Sequence, residues 1–397
     1  MARKFTGSFT QQEGLSESAI AAAVAVLQSG RLHRYNLAPG EAGEVAQLEA
    51  EYRDWQGSKF CLAVTSGGQA LQIALRACDV ASGDKVLTNA YTLAPVPGAI
   101  RAVGADAVLV EIDENLRLDL DDLGAKIASS GARVLLLSHM RGHLCDMERL
   151  MAICDAAQVT VIEDCAHTMG ARWNGVRSGN FGKVACFSTQ TYKHMNSGEG
   201  GFLTADDAAI AARATILSGS YMLYERHGAG PQPEAFADAR YDMPNCSARM
   251  DALRAAILRP QLADLDSNIA RWNARYTQVE ERLKAQDGVT TIKLPSAETH
   301  VGSSIQFRLL DFTAAQCRAV LEAAATRGVE LKWFGAKEPA GFTSAHPSWR
   351  YVPAQDMPKT DRVMATLFDM RLPLSFSEDD CALIAELICG AVDEVAS

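Results

Sequence analysis

The sequence has ten cysteines but no Cys-x-x-Cys pair. Zinc ribbons and dithiol redox motifs need such close pairs, so neither is indicated. Basic runs are missing, aromatics make up only 7% of the chain and the formal net charge is −10. That balance argues against a nucleic-acid partner. Long hydrophobic runs are missing too. A stretch such as "RVLLLSHM" is far shorter than the ~20 apolar residues that span a bilayer, so no membrane partner is expected. The opening "MARKFTGSFTQQEG" lacks the apolar core of a signal peptide. The expected setting is therefore a reducing cytoplasm with free thiols. No internal repeat or low-complexity segment occurs.

What is present is a chain of 397 residues, 48% hydrophobic and 22% charged, which suits two globular domains. The spacing predicts helices over 17–29 and 42–56. From about residue 58, short apolar runs alternate with helical patterns: "KFCLAVTSG", "DKVLTNA", "DAVLVEID", "ARVLLLSH", "VTVIEDCAH" and "KVACFST" are the strands. Apolar strands separated by helices predict an α/β fold whose mostly parallel central sheet is covered on both faces. After about residue 255 comes a long helical pattern interrupted by Pro260, then strand, helix, strand and helix. The expected division is a helical segment over 1–54 packing on the small domain, a large domain over 55–255 and a smaller C-terminal α/β domain over 256–397. The Pro- and Gly-rich stretch 335–358 is a long loop, a length often tied to function.

In such sheets, ligands sit beyond the carboxyl ends of the strands. The first strand ends in "TSGGQAL". There Ser66, Gly67 and Gly68 open a helix and offer free N–H groups to an anion. The second ends near Tyr91, an aromatic that can stack on a flat ring or simply pack. A later one ends in "VIEDCAHTMG". Glu163 and Asp164 are costly there unless something cationic pairs with them. A metal on Asp164 and His167 lacks a third ligand at a recognised spacing. A protonated ring nitrogen of a cofactor is the other partner for the acid. Next comes "FSTQTYKHMNSGEGG", with Ser188, Thr189 and Thr191 as phosphate ligands and Lys193 as a candidate nucleophile. A phosphate cup, a stacking ring, an acid and a lysine at successive strand ends describe the needs of pyridoxal phosphate. The lysine must hold a lowered pKa to form a Schiff base near neutral pH.

These stretches resemble the DegT/StrS-type sugar aminotransferases, pyridoxal-phosphate enzymes of fold type I. "VIEDCAHTMGARWNG" and "GNFGKVACFSTQTYKHMNSGEGGFLTADD" carry the most specific likeness, and it extends over most of the chain. The resemblance implies a Schiff base and proton shuttle at Lys193, Asp164 on the pyridinium nitrogen and Tyr91 on the ring. It also implies Ser66, Gly67, Gly68 and Ser188 around the phosphate. His167 stands where the family usually has Gln, beside the cofactor's O3′. The resemblance further implies a homodimer with shared active sites, in which a neighbouring subunit lends an Asn. Ser247 occupies that place here, with Asn245 nearby.

Departures concern the substrate. Lys332, Trp333 and Trp349 lie in a segment unlike the family's nucleotide-sugar pocket, and "LSHMRGHLCDM" also departs from the usual pattern. Arg371 is either a carboxylate clamp or, as the plainer reading, a surface or structural arginine. His139, His143 and His194 read as structural or solvated, and Glu199 as a loop-shaping residue. The expected activity is amino transfer from an amino acid to a keto acceptor, a keto sugar or other small keto compound. Racemisation, dehydration or β-elimination on the same cofactor remains open, as does a non-enzymatic sensor that has kept the fold.

Overall fold

The structure is a computed structural model that describes residues 3–336, 338 and 345–397. Within the predicted loop, positions 337 and 339–344 lie outside the described residues. Helices α1 (Glu17–Ser29) and α2 (Glu44–Gln56) open the chain, and α2 leads into strand β1 (Phe60–Val64). Helix α3 (Gly67–Ala77), β2 (Lys85–Asn89), α4 (Pro95–Ala102), β3 (Asp106–Val110), α5 (Leu120–Ser130), β4 (Val134–Ser138), α6 (Met147–Ala156) and β5 (Thr160–Asp164) follow in alternation.

The main sheet has seven strands. Across it lie β1, Gly201–Ala205, Val184–Ser188, β5, β4, β2 and β3. Only Gly201–Ala205 runs antiparallel to its neighbours. Apolar residues of α3 and α4 pack on one face of the sheet, and those of α5 and α6 pack on the other. That two-sided cover explains why the strands read as continuous apolar runs. Consequently the polar ends of β1, β5 and Val184–Ser188 open on one edge, at Ser66, Asp164 and Ser188.

A second, four-stranded sheet contains Ser304–Arg308, Lys332–Trp333 and Leu367–Arg371, and its strands are antiparallel. Its core is formed with helices Ala314–Thr326 and Glu378–Ala396. The N-terminal Phe5 and Phe9 are buried in this same core. The helical part of the N-terminus lies elsewhere. Val26 of α1 packs with Ala252 and Ala256, and α2 packs on the β1 side of the main sheet. Phe5 and Phe9 thus meet the small sheet's core, whereas α1 packs on helix Ala252–Ala263 and α2 packs beside β1. The long helical pattern near Pro260 divides into Ala252–Ala263 and Leu265–Lys284. The break comes at Asp264, not at Pro260 itself.

One buried ion pair ties the N-terminal segment down. Arg34 donates two hydrogen bonds to Glu49, each 2.8 Å, and the Ala63 N–H of β1 donates to Glu49 Oε1 at 2.8 Å. Burial pushes the Glu49 carboxyl up, but Arg34 and His227 outweigh it and hold the pKa at about 2, below the ordinary 4.5. Because the folded value is depressed, this stability is present above pH ~4.5 and is lost as pH falls towards about 2. Removing one partner of a buried pair costs ~3–5 kcal/mol. Glu49→Gln should therefore lose stability of that order in urea unfolding at pH 7 and show a flatter acid limb than the natural chain. An unchanged acid limb would count against this account.

Candidate active site

Lys193 sits in the loop after strand Val184–Ser188 and lines, among others, two adjoining cavities of about 90 and 310 Å³. The smaller is walled by Gly67, Gly68, Leu93, Asp164, Ser188 and other residues. Ser138, Asp164 and Ser188 are the last residues of their strands, so the sheet itself brings them together.

Ser66 caps α3, its hydroxyl accepting from the Gln69 N–H at 3.1 Å. The helix then starts on Gly67 and Gly68, and the Gly67 backbone lies close to Ser188. A Cβ at Gly67 would come within 2.9 Å of the Ser188 Cβ. Gly67 therefore leaves a cradle beside Ser188 that a side chain there would close, and Gly68 lines the same cavity.

Asp164 is buried at the end of β5. Its Oδ1 accepts from the Ala166 N–H at 3.1 Å, and its Oδ2 accepts from the Ser138 hydroxyl at 3.1 Å. Thr92 in turn donates to Ser138 Oγ at 2.7 Å, which fixes the serine. Burial pushes the Asp164 carboxyl above its ordinary range, opposed by these N–H and O–H donors and by Lys193.

The Lys193 Nζ lies 2.7 Å from His167 Nε2. Burial and then Arg141 lower the amine's pKa to about 7, with Asp164 opposing. Burial, Lys193 and Arg141 hold the His167 imidazole well below its usual value. The Arg141 N–H points at His167 Nδ1 at 3.4 Å, which leaves the proton on Nε2. Neutral His167 then donates to the lone pair of an unprotonated Lys193. An amine so poised is a nucleophile near neutral pH.

Other expectations change. Tyr91 is fully buried and meets the Phe334 ring edge-on at 5.2 Å, outside the cavity wall. Leu93, two residues on, forms the wall instead, because the chain leaves β2 with Tyr91 turned into the core. Thr189 and Thr191 are also diverted: Thr189 Oγ1 lies 2.8 Å from Ser197 Oγ, and Thr191 donates to the Gly198 carbonyl at 3.3 Å. Both stitch the glycine-rich loop rather than face the cavity. Trp333 and Trp349 are core residues, and of that group only Lys332 reaches the larger cavity. Arg371 lines that cavity as well and is half-buried. Glu163 is paired, as its burial requires. It accepts from three backbone N–H groups and lies 3.0 Å from His139 Nε2. His139, Glu163 and Cys165 form a buried cluster of metal-capable atoms, distinct from Asp164 and His167. His143 and His194 are buried and bonded to Gln306 and Ser303.

Residues 14–388 match the DegT/DnrJ/EryC1/StrS aminotransferase family. The chain belongs to that family. Among curated relatives, the 3-amino-5-hydroxybenzoate synthase of Amycolatopsis mediterranei is 33% identical over 62% of this chain and 61% of its own length. The dTDP-3-amino-3,4,6-trideoxy-alpha-D-glucose transaminase of Streptomyces venezuelae is 33% identical over 71% of this chain and 69% of its own length. The chain spans about three fifths of the length of the first of these relatives. A crystal structure of 3-amino-5-hydroxybenzoic acid synthase superposes with a TM-score of 0.81 at 26% identity, covering 98% of this chain and 99% of that one. The fold is thus the fold of the solved pyridoxal-phosphate aminotransferases.

Within this family member, Asn245 is exposed, and its Oδ1 accepts from the Ser247 N–H at 3.0 Å. It does not line either cavity beside Lys193 of its own chain. Ser247 adopts a left-handed backbone with φ of 50°, a conformation in which Asn is the favoured non-glycine residue. Sequence reasoning missed Arg141, Ser138 and Leu93. Ser138 carried a signal, as the last residue of the central strand β4.

Proposed function

We propose that this chain is a pyridoxal-phosphate-dependent aminotransferase that moves an amino group from an amino acid to a keto acceptor through Lys193. The observation that carries this reading is one cavity edge holding the poised Lys193 amine, the buried Asp164 carboxylate and the Gly67–Gly68 cradle. These residues fit pyridoxal phosphate. The N–H groups opening α3, with Ser188, suit its phosphate, and Asp164 suits its ring nitrogen. Leu93 and Ala166 offer apolar surface to a flat ring.

When bound, the cofactor supplies an electron sink for the carbon that carries the amino group. The protein supplies the rest. Asp164, ionised by a cationic partner, keeps that partner protonated. Lys193 would move a proton between the substrate carbon and the cofactor carbon within each half of the cycle. His167 donates to Lys193 Nζ and holds the amine in its unprotonated form.

The family of this chain and the names of its relatives support transamination over racemisation, dehydration or elimination. The cofactor-loaded protein should lose its visible absorption band when an amino donor is added and regain it with a keto acceptor. Product formed with no donor consumed would overturn the reading. Capture of pyridoxal phosphate by Lys193 should rise with pH through about 7, the value set by burial and Arg141. A rise centred near the ordinary lysine value would sink the claim of a poised amine.

We further propose a homodimer. Ile20, Val24 and Leu27 form an exposed apolar stripe on α1, and Met222 and Tyr241 are exposed as well. Asn245, turned away from its own cavity, is then available to a partner's cofactor. A monomer at micromolar concentration in sedimentation equilibrium would overturn this. The two sheets support a division into a large domain over 55–255 and a small one over 256–397. The ten cysteines are free and only Cys246 is exposed, which supports a cytoplasmic setting. Among the described residues no helix is long and apolar enough to cross a membrane.

A further inference from the structure

The turn after β4 is held from the other sheet. Arg141 lies there with φ of 59° and Gly142 with φ of 97°, so two successive residues are left-handed. Glycine adopts that conformation freely, but an arginine keeps it only when its surroundings enforce it. The enforcing contacts come from strands Ser304–Arg308 and Leu367–Arg371. Arg141 Nη2 lies 2.6 Å from Asp369 Oδ2, and the two side chains are 6% and 0% exposed. Two residues on, His143 Nε2 lies 2.8 Å from Gln306 Oε1. Gln306 stands opposite Asp369 in the register and donates to its Oδ1 at 2.8 Å. The small sheet therefore grips the turn at Arg141 and at His143, and one glutamine joins the two grips.

The grip on Arg141 is one of charge. Neither Arg141 Nε nor Asp369 Oδ2 has a hydrogen-bond partner among the described residues. A neutral group at 369 would leave a buried guanidinium without its counter-charge, which is costly. What the turn supports is His167. The Arg141 N–H points at His167 Nδ1 at 3.4 Å, and a Cβ at Gly142 would come within 3.3 Å of the His167 carbonyl oxygen. The other ring nitrogen, Nε2, lies 2.7 Å from Lys193 Nζ. A donor at Nδ1 leaves the imidazole proton on Nε2, aimed at the amine. The line from Asp369 to Lys193 thus runs through one guanidinium, one backbone N–H and one imidazole. Other charged or titratable groups face the pair: His194 and Arg371 face His167, while Asp164, Arg371 and Lys332 face Lys193. Among the described residues only the Arg141 N–H meets His167 Nδ1, so the tautomer separates its effect from theirs.

We propose that Asp369, which lines none of the cavities beside Lys193, is a positioning residue for amino transfer: by holding Arg141 it fixes the His167 ring with its Nε2–H towards Lys193. The proposal rests on the aminotransferase reading and adds to it a residue of the small domain that touches no reacting atom.

The test uses cofactor-free protein and reads the ring directly. In protein labelled with 15N-histidine, the His167 signals are those missing from His167→Gln. In the natural chain at pH ~8 they should show the Nε2–H tautomer. Asp369→Asn should turn them into a mixture of tautomers. Arg141, no longer held, then turns towards the cavity it lines, and the hydrogen bond that favours the unprotonated amine is lost. Trace acetylation of Lys193 against pH, read by mass spectrometry, should accordingly move its midpoint upward from about 7 by ~1 unit or more. Arg141→Ala/Asp369→Asn removes both charges together, so no buried charge is left unpaired. Its alanine has no hold on the small sheet, and it too should show mixed tautomers. A single Nε2–H tautomer in both variants would overturn the proposal, as would a midpoint that stays in place or falls in Asp369→Asn. If Asp369→Asn does not fold, the tautomer of the double variant decides. Failure of the natural chain to bind pyridoxal phosphate would instead overturn the aminotransferase reading and leave these results standing.

Discussion

Lys193→Ala is expected to abolish the covalent adduct that borohydride traps between the protein and pyridoxal phosphate. Amino transfer should fall by at least ~10⁴-fold, as for loss of a nucleophile that no neighbour replaces. Lys332 is the other lysine lining the larger cavity, and it does not line the cradle formed by Gly67, Gly68 and Asp164. Mass spectrometry of the reduced protein should therefore find the adduct at Lys193 alone. An adduct on another lysine, or activity kept in the variant, would remove Lys193 from the chemistry.

A second readout separates lost chemistry from lost structure. The Lys193 amine has an ordinary pKa of 10.5 and a folded value of about 7, lowered first by burial. A base whose folded pKa is depressed opposes folding below its unfolded pKa, increasingly as pH falls towards the folded value. Lys193→Met, which fills the space without a charge, should therefore raise the melting temperature of the cofactor-free protein at neutral pH. A lowered melting temperature would mean that Lys193 contributes to stability here, contrary to its placement.

The order of strands and helices in the large domain was legible because both periodicities are strong and the strands are covered on two faces. The strand Gly201–Ala205 was not. "GFLTA" is a short apolar run after a glycine loop, and periodicity alone does not distinguish such a run from a buried turn. Asp164, Lys193, Gly67, Gly68 and Ser188 meet around one cavity because strand ends converge by topology, whatever the details of packing. Tyr91 and Leu93 both follow β2, and which of them faces the cavity depends on how the chain leaves the strand. That direction is set by the pocket around Phe334, which lies far away in sequence. Arg141 was invisible for a similar reason. Its backbone is left-handed and its partner Asp369 belongs to the other sheet, so the unusual stretch "LSHMRGHLCDM" drew notice without singling out Arg141.

Asp164→Asn should leave Lys193 able to capture pyridoxal phosphate yet slow amino transfer by ~10²–10³-fold, the usual cost of removing one preorganised electrostatic group. The two effects separate because Asp164 acts on two partners. Towards Lys193 it is a nearby negative charge that raises the amine's pKa against the larger effect of burial. Without it the amine is easier to deprotonate, so the pH midpoint of capture should move below that of the natural chain. Towards a cofactor's ring nitrogen it would be the carboxylate that keeps a proton in place, and an amide does not carry that charge. Burial already pushes the Asp164 carboxyl upward, and donors from Ala166 and Ser138 oppose this. A cationic partner would complete its ionisation. Capture kinetics against pH and donor-driven loss of the visible band, measured on the same preparation, give both numbers. If Asp164→Asn slowed capture and transfer equally and left the midpoint in place, Asp164 would be a structural cap for the end of β5. The cation it faces would then have to be sought elsewhere in the cavity.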